Sequence, residues 1–155
     1  IFNIKNNDII NGIQNISLKG RLEEIKSGKL KMITGNNRLF IDGGHNISAS
    51  LSIANWIKNQ NQEVNLIVGM MKDKEHIEFI KSFRNIVNSI TLIDIPNQDG
   101  AISKENLESK LKELNLNIKK SHSIESAIKS LSKNVNTITV CIGSLYLAGE
   151  ILKLN

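Results

Sequence analysis

Asp42, Gly43, Gly44, His45 and Asn46 follow one another directly after the apolar residues Leu39, Phe40 and Ile41. A carboxylate acceptor, a nitrogen pair that exchanges a proton near neutral pH and an amide therefore stand within one short loop. The two glycines permit positive φ and let a ligand approach the backbone. A helix pattern begins at Ile47, and the free N–H groups and dipole of such a helix favour an anion at its start. A plain strand-to-helix turn, with Asn46 as N-cap and His45 in solvent, accounts for the same residues without any chemistry.

Two other stretches have the same form. "IVGMMKDKE" (67–75) reads as a strand, a glycine, a short loop and a helix capped by Asp73, and "CIGSLYLAGEIL" (141–152) as a strand, Gly143 and a helix starting at Ser144. Each alone is explained by capping and a packing glycine. Together they place three strand ends, each with a glycine and a polar side chain, on one edge, where open α/β sheets bind their ligands.

The elements that must position these residues follow from periodicity. Strands are expected at Leu39–Ile41, Val64–Val68, Ile90–Ile93 and Thr137–Ile142, with a weaker one at Leu116–Lys120. Helix patterns lie between them at Ile47–Asn59, Lys74–Phe83, Ser103–Leu114 and Ser123–Leu131, and a last one covers Leu145–Leu154. Asp73, Ser103 and Ser123 read as N-caps, and Leu107, Leu111 and Leu114, like Ile77, Ile80 and Phe83, as core-facing stripes. Strand–helix alternation with β-branched strands implies a Rossmann-like, mostly parallel α/β sheet with helices on both faces. Asn7–Asn15 reads as a short helix. "GRLEEIKSGKLKMITGNNRLFID" reads as two strand-like pieces joined by glycine turns, a hairpin leading into the first parallel strand. The junction falls near Leu18–Gly20, so residues 1–18 are expected to be a linker or the tail of a preceding domain and residues 19–155 one α/β domain. Because the chain opens on Ile1, it is expected to be a piece of something longer.

The net charge of +5 is carried mostly by scattered lysines, with Arg21, Arg38 and Arg84 the arginines. An Asn-, Ile- and Lys-rich composition explains most of it, and attraction to anionic ligands such as nucleotides is the functional alternative. Scattered lysines and few aromatic residues argue against nucleic acid, and no apolar run is long enough for a membrane span. Cys141, the single cysteine, lies in an apolar stretch and reads as a buried, reduced thiol of a cytoplasmic protein. His76 is expected at the surface, and His122 follows two lysines. Neither has partners at metal spacing, so no metal is assigned to this chain. Trp56 is expected in core or interdomain packing, and Tyr146 and Leu147 in the core.

Four stretches in order, "LKGRLE" (18–23), "FIDGGHN" (40–46), "VGMMKDK" (68–74) and "GSLYLAGE" (143–150), resemble the C-terminal domain of the folylpolyglutamate synthase/dihydrofolate synthase family of the Mur ligase superfamily. "IINGI" (9–13) resembles the segment that joins the family's two domains. The resemblance implies an ATP- and Mg²⁺-dependent ligase that activates a carboxylate of dihydropteroate or folate as an acyl phosphate and joins it to L-glutamate. It further implies that Arg21 and Asp42 bind ATP and that His45 is the catalytic histidine near the acyl phosphate. Asn46, Asp73, Lys74 and Ser144 match motif positions and are carried over as candidates for the substrate or glutamate side, although Asp73 also fits a cap and Ser144 a helix start. The implied enzyme is a cytoplasmic monomer.

Lys19 replaces the family's proline, Gly44 its alanine and Ile47 its second proline, so a more flexible loop is expected. No G-x-x-x-x-G-K-[ST] occurs, and "SGKLK" (27–31) lacks the spacing. The phosphate loop, magnesium ligands and pterin pocket are therefore expected in an N-terminal domain absent here, without which this chain is inactive. Two other readings remain at this point: a cell-wall Mur ligase, against which "GSLYLAGE" argues, and a non-catalytic nucleotide-binding module. Whether the whole enzyme makes dihydrofolate, lengthens polyglutamates or does both is not written in these residues.

Overall fold

The computed structural model describes residues 5–14 and 18–155. The chain runs through α1 (Asn6–Gln14), β1 (Glu23–Glu24), α2 (Lys29–Thr34), β2 (Arg38–Ile41), α3 (Ile47–Lys58), β3 (Glu63–Val68) and α4 (His76–Lys81). It continues with β4 (Ser89–Leu92), α5 (Lys104–Leu111) and a 3₁₀ turn at Lys112–Leu114, then β5 (Ile118–Lys120), α6 (Ile124–Leu131), β6 (Thr137–Ile142) and α7 (Leu145–Leu154). Asn15, the expected end of the first helix, lies outside the described residues.

The strands form one sheet in the order β1-β2-β6-β3-β4-β5. Every neighbouring pair is parallel except β1–β2, where Glu23 opposes Ile41 and Glu24 opposes Phe40. Alternation along the strands divides the core in two. Phe40, Leu66, Leu92 and Val140 face α3, α4 and α5, whereas Leu39, Ile41, Ile67 and Cys141 face α2, α6 and α7. Helices thus cover both faces, and strands buried on both sides are near-continuous runs of apolar residues.

Three expectations are corrected. "KLKMIT" is α2, a helix, and not the second strand of a hairpin. Gly28 and Gly35, both at positive φ, break the chain on either side of it, Leu30 and Thr34 bury one face at helical spacing, and β1 already holds the edge of β2. The buried stripe of α4 is His76, Phe79 and Ile80, continued by Phe83 in the turn after it, with Ile77 44% exposed. Its N-cap is Glu75, not Asp73. Ser103, Ser123, Ser144 and Asn46 do cap their helices through side-chain oxygens.

Candidate functional site

The three glycine-bearing loops leave β2, β6 and β3, which are adjacent, so they meet at the carboxyl edge of the sheet. Backbone bonds tie them together. Asp42 N donates to Cys141 O at 2.9 Å, Gly143 N to Gly44 O at 3.1 Å and Gly69 N to Ile142 O at 3.3 Å. Gly143 has φ 109, and a Cβ there would lie 2.7 Å from Gly69 O, so the crossing of loops requires glycine. Gly43 and Gly44 act differently from expectation: neither is among the positive-φ glycines. What they provide is close approach, since a Cβ on Gly43 would overlap Leu145 and one on Gly44 would sit 2.7 Å from the Ala49 Cβ. The structure therefore gives Gly44 a packing role in place of the expected looseness.

Antiparallel β1 starts where β2 ends, which carries residues 20–22 to the same edge. Gly43 N donates to Gly20 O at 2.7 Å, and Leu22 N donates to Asp42 Oδ2 at 2.7 Å. Gly44 N donates to Asp42 Oδ1 at 2.6 Å. Asp42 is buried, and each of its carboxylate oxygens already accepts a backbone N–H. Leu22 lies at φ 43, a conformation costing a bulky residue about 1–3 kcal/mol and kept only where its surroundings impose it. Arg21, between Gly20 and Leu22, is exposed.

A cavity of about 310 Å³ opens between the loops, lined by His45, Met71, Asp73, Lys74, Ser144, Leu145 and Tyr146. His45 Nδ1 lies 3.3 Å from Gly43 O, which can only accept, so the contact requires Nδ1–H and selects the tautomer in which Nε2 is the acceptor of the neutral ring. Asn46 Oδ1 accepts from Ala49 N at 2.9 Å as N-cap, leaving Nδ2 as the amide's donor. Ser144 is buried, and its Oγ accepts from Tyr146 N at 3.1 Å. Asp73 is exposed and pairs with Lys74 Nζ at 2.7 Å. That hydrogen bond, the lysine's charge and the nearby His45 hold the Asp73 carboxyl below its ordinary range. Of the residues singled out by sequence, His45, Asp73, Lys74 and Ser144 line one cavity, Asn46 caps the adjoining helix, and Arg21 lies on the 20–22 strap, whose Leu22 N is held by Asp42. A larger groove of about 490 Å³, bordered by Lys58, Glu63, Asn85 and Asn88, opens at the amino ends of β3 and β4, away from these residues.

Sequence reasoning misplaced two residues here. Tyr146, expected in the core, is 54% exposed and forms a wall of the cavity with Leu145. The signal was available: Leu147, Ala148 and Ile151 make the buried stripe of α7 and leave position 146 off it. His76, expected at the surface, is buried, with Nε2 3.0 Å from Met71 O, and so fastens the loop that carries Asp73 and Lys74. Burial pushes its pKa down and the neighbouring Lys110 adds to this, while the Met71 carbonyl and Asp73 oppose it. Cys141 is buried as expected, and desolvation pushes its thiol up to about 12. Trp56 is half-buried and meets Phe40 edge-on at 4.9 Å. Among the described residues no group of three or more His, Cys, Asp or Glu side chains converges on a metal-sized position, and no helix is long and apolar enough to cross a membrane.

A family model for the C-terminal domain of dihydrofolate synthetase matches residues 26–154. A probable dihydrofolate synthetase of Schizosaccharomyces pombe is 22% identical over 169 residues, which cover 98% of this chain and 38% of that protein. Folylpolyglutamate synthase of Mycobacterium tuberculosis, solved with ADP and AMPPCP, matches with a TM-score of 0.81 and 19% identity over 98% of this chain and 35% of its own. Bifunctional folylpolyglutamate synthase/dihydrofolate synthase of Yersinia pestis, solved with AMPPNP and Mn ion, gives 0.79 and 17% over 98% and 35%. At these identities the solved structures share the fold with this chain. The chain spans little more than a third of the length of the relatives it matches.

Proposed function

The chain belongs to the dihydrofolate synthetase C-terminal-domain family, and on that premise we propose that it is the C-terminal domain of a longer ATP-dependent ligase that adds L-glutamate to dihydropteroate, to folate or to both. Residues 19–155 are the domain, and residues 1–18 link it to an N-terminal domain that carries the phosphate loop, the magnesium ligands and the pterin pocket. The whole enzyme works in the cytoplasm as a monomer, and this chain alone does not turn over. The observation that carries the reading is the convergence of His45, Asp73, Lys74 and Ser144, from three separate strand ends, on one cavity beside Arg21.

The chemistry runs in two steps. A substrate carboxylate oxygen attacks the γ-phosphorus of ATP, ADP leaves, and the glutamate amine then attacks the acyl carbon and expels phosphate. Mg²⁺, held by the other domain, offsets phosphate charge. Arg21 presents a permanently charged guanidinium to the nucleotide phosphates, for which its planar fork is suited. Asp42 belongs to the same nucleotide side. His45 works through Nε2, the nitrogen left free by the Gly43 contact. The amine enters as an ammonium and must lose protons to form the amide, and Nε2 accepts one of them. Lys74 meets a glutamate carboxylate, and Asp73, Asn46 Nδ2 and Ser144 Oγ–H complete that side. Tyr146 and Leu145, exposed in the isolated chain, are covered when the N-terminal domain closes over the edge.

The test uses the full-length parent protein with ATP and Mg²⁺, following glutamate-dependent ADP release with dihydropteroate and then with a reduced folate. Turnover with either substrate is expected, and His45→Ala is expected to lower kcat by about 10²-fold or more. A folded, ATP-binding parent that turns over neither substrate overturns the reading.

A further inference from the structure

We propose that His76 is a positioning residue for the amino-acid side of the site, holding the loop after β3 in the shape that presents Lys74 to the cavity. The proposal rests on the reading above in which Lys74 meets a glutamate carboxylate. Three observations carry it. His76 grips the loop at two points: its backbone N–H donates to Lys74 O at 3.0 Å, and its ring Nε2 lies 3.0 Å from Met71 O. A carbonyl only accepts, so Nε2 carries the hydrogen, and the two carbonyls held belong to cavity-lining residues that bracket Lys72 and Asp73. The ring is itself fixed, since His76 is 3% exposed and shares the buried stripe of α4 with Phe79 and Ile80. Finally, α4 is entered without a side-chain cap. Glu75 at its N-cap makes no such bond, whereas Asn46, Ser103, Ser123 and Ser144 cap α3, α5, α6 and α7. The entry that those helices receive from a local oxygen is set here by a histidine reaching back over the loop.

The other bonds to this loop hold only its first half: Ile102 N donates to Met70 O at 3.0 Å and Lys72 N to Gly100 O at 2.8 Å. Residues 73–75 are left to His76. Lys74 has a long, flexible side chain, so where its ammonium sits depends on where its backbone points and on Asp73, 2.7 Å away. Without the ring N–H, Met71 O loses its donor and the segment gains freedom that must be removed again when a carboxylate binds. That cost falls on the amino acid. Arg21 and His45 are carried by other segments, the strap before β1 and the loop after β2, so the nucleotide and the proton transfer are spared.

The experiment measures kcat and KM for glutamate and for ATP in the full-length enzyme carrying Lys74→Ala, His76→Leu, both together, and His76→Gln. Lys74→Ala is expected to raise KM for glutamate about 10- to 100-fold, as for loss of a charge-assisted hydrogen bond. His76→Leu is expected to raise it about 3- to 10-fold, as for loss of a neutral one, with kcat and KM for ATP little changed. The double variant is expected to be no worse than Lys74→Ala alone, and His76→Gln, whose amide donates to the same carbonyl, to stay close to the parent. If His76→Leu fails to fold, His76→Met, apolar and flexible enough to fill the same space, takes its place in the cycle. An unchanged KM for glutamate in His76→Leu, equal losses toward ATP, multiplying effects in the double variant, or a His76→Gln as impaired as His76→Leu each overturn the proposal and leave the role of Lys74 standing. An unchanged KM for glutamate in Lys74→Ala overturns both.

Discussion

The loop after β2 (42–46) and the loop after β3 (69–75) leave the same edge of the sheet and border the same cavity, yet they are fastened in different ways. The first is fastened partly within itself, where Asp42 Oδ1 accepts from Gly44 N and Asn46 caps the helix that follows, and partly by its neighbours, where Gly43 N donates to Gly20 O and Gly143 N to Gly44 O. The second is fastened from elsewhere in the chain. Lys72 N donates to Gly100 O at 2.8 Å, Ile102 N to Met70 O at 3.0 Å, and His76 Nε2 lies 3.0 Å from Met71 O. Bonds within a loop come with its motif, whereas bonds from a distance depend on the rest of the fold. The comparison can be attacked at the point where the loops meet, at the fastener of the second loop, and at the aspartate in each.

Gly143→Ala should have the largest effect. The new Cβ would lie 2.7 Å from Gly69 O and 2.8 Å from Met70 Cγ, at a φ of 109. Left-handed strain and an overlap with backbone together should cost about 2–5 kcal/mol in urea denaturation of the chain. Gly149→Ala, in the interior of α7 with nothing within 4 Å of its Cβ, should instead stabilise by about 0.5–1 kcal/mol. A Gly143→Ala midpoint as high as that of the parent would mean that the loops do not cross as described.

The second loop should depend on pH through His76. Its pKa is lowered by burial, so below the ordinary value of 6.5 the unfolded chain takes up a proton that the folded chain resists. Stability is therefore complete above about pH 6.5 and falls as the pH drops toward the folded pKa, by at most about 1.4 kcal/mol per pH unit for one proton. Lys74, Glu75, Glu78 and Lys110 border the same pocket as His76, and Lys110 strengthens the effect while Asp73 weakens it. His76→Gln, with an amide able to donate to Met71 O, should flatten the stability profile between pH 7 and 5. An equally steep fall in the variant would place the dependence on other groups.

The same contrast explains what could be read from the sequence. The strands β2, β3, β4 and β6 were legible because strands buried on both faces are mostly apolar and β-branched, and Ser103 and Ser123 because capping is a local bond. The first loop was legible as a cluster of functional groups because those groups are contiguous. α2 was misread because a six-residue segment of mixed apolar and polar residues has no decisive period, and the choice between strand and helix was made by β1, already paired along β2. His76 was misread because its burial depends on a carbonyl five residues back and on the register of α4, which the Ile77 spacing obscured. Neither the clamp from Asp42 to Leu22, spanning twenty positions, nor the strained φ that it holds has a local signature.

The smallest effect should separate the two aspartates. Asp73→Asn removes one charge of an exposed pair with Lys74, and solvent screens such pairs, so the urea midpoint of the chain should not move measurably. Asp42→Asn makes the identical chemical change at the same edge. There the lost oxygen is an acceptor for a backbone N–H in a buried position, and the replacing amide sets a donor against a donor. The cost should be about 1–3 kcal/mol. The difference between the two variants measures how far the first loop is held by its own carboxylate. Equal midpoints would mean that Asp42, like Asp73, contributes only a solvated charge, and the distinction between a loop partly held by its own carboxylate and one held only by other groups would fail.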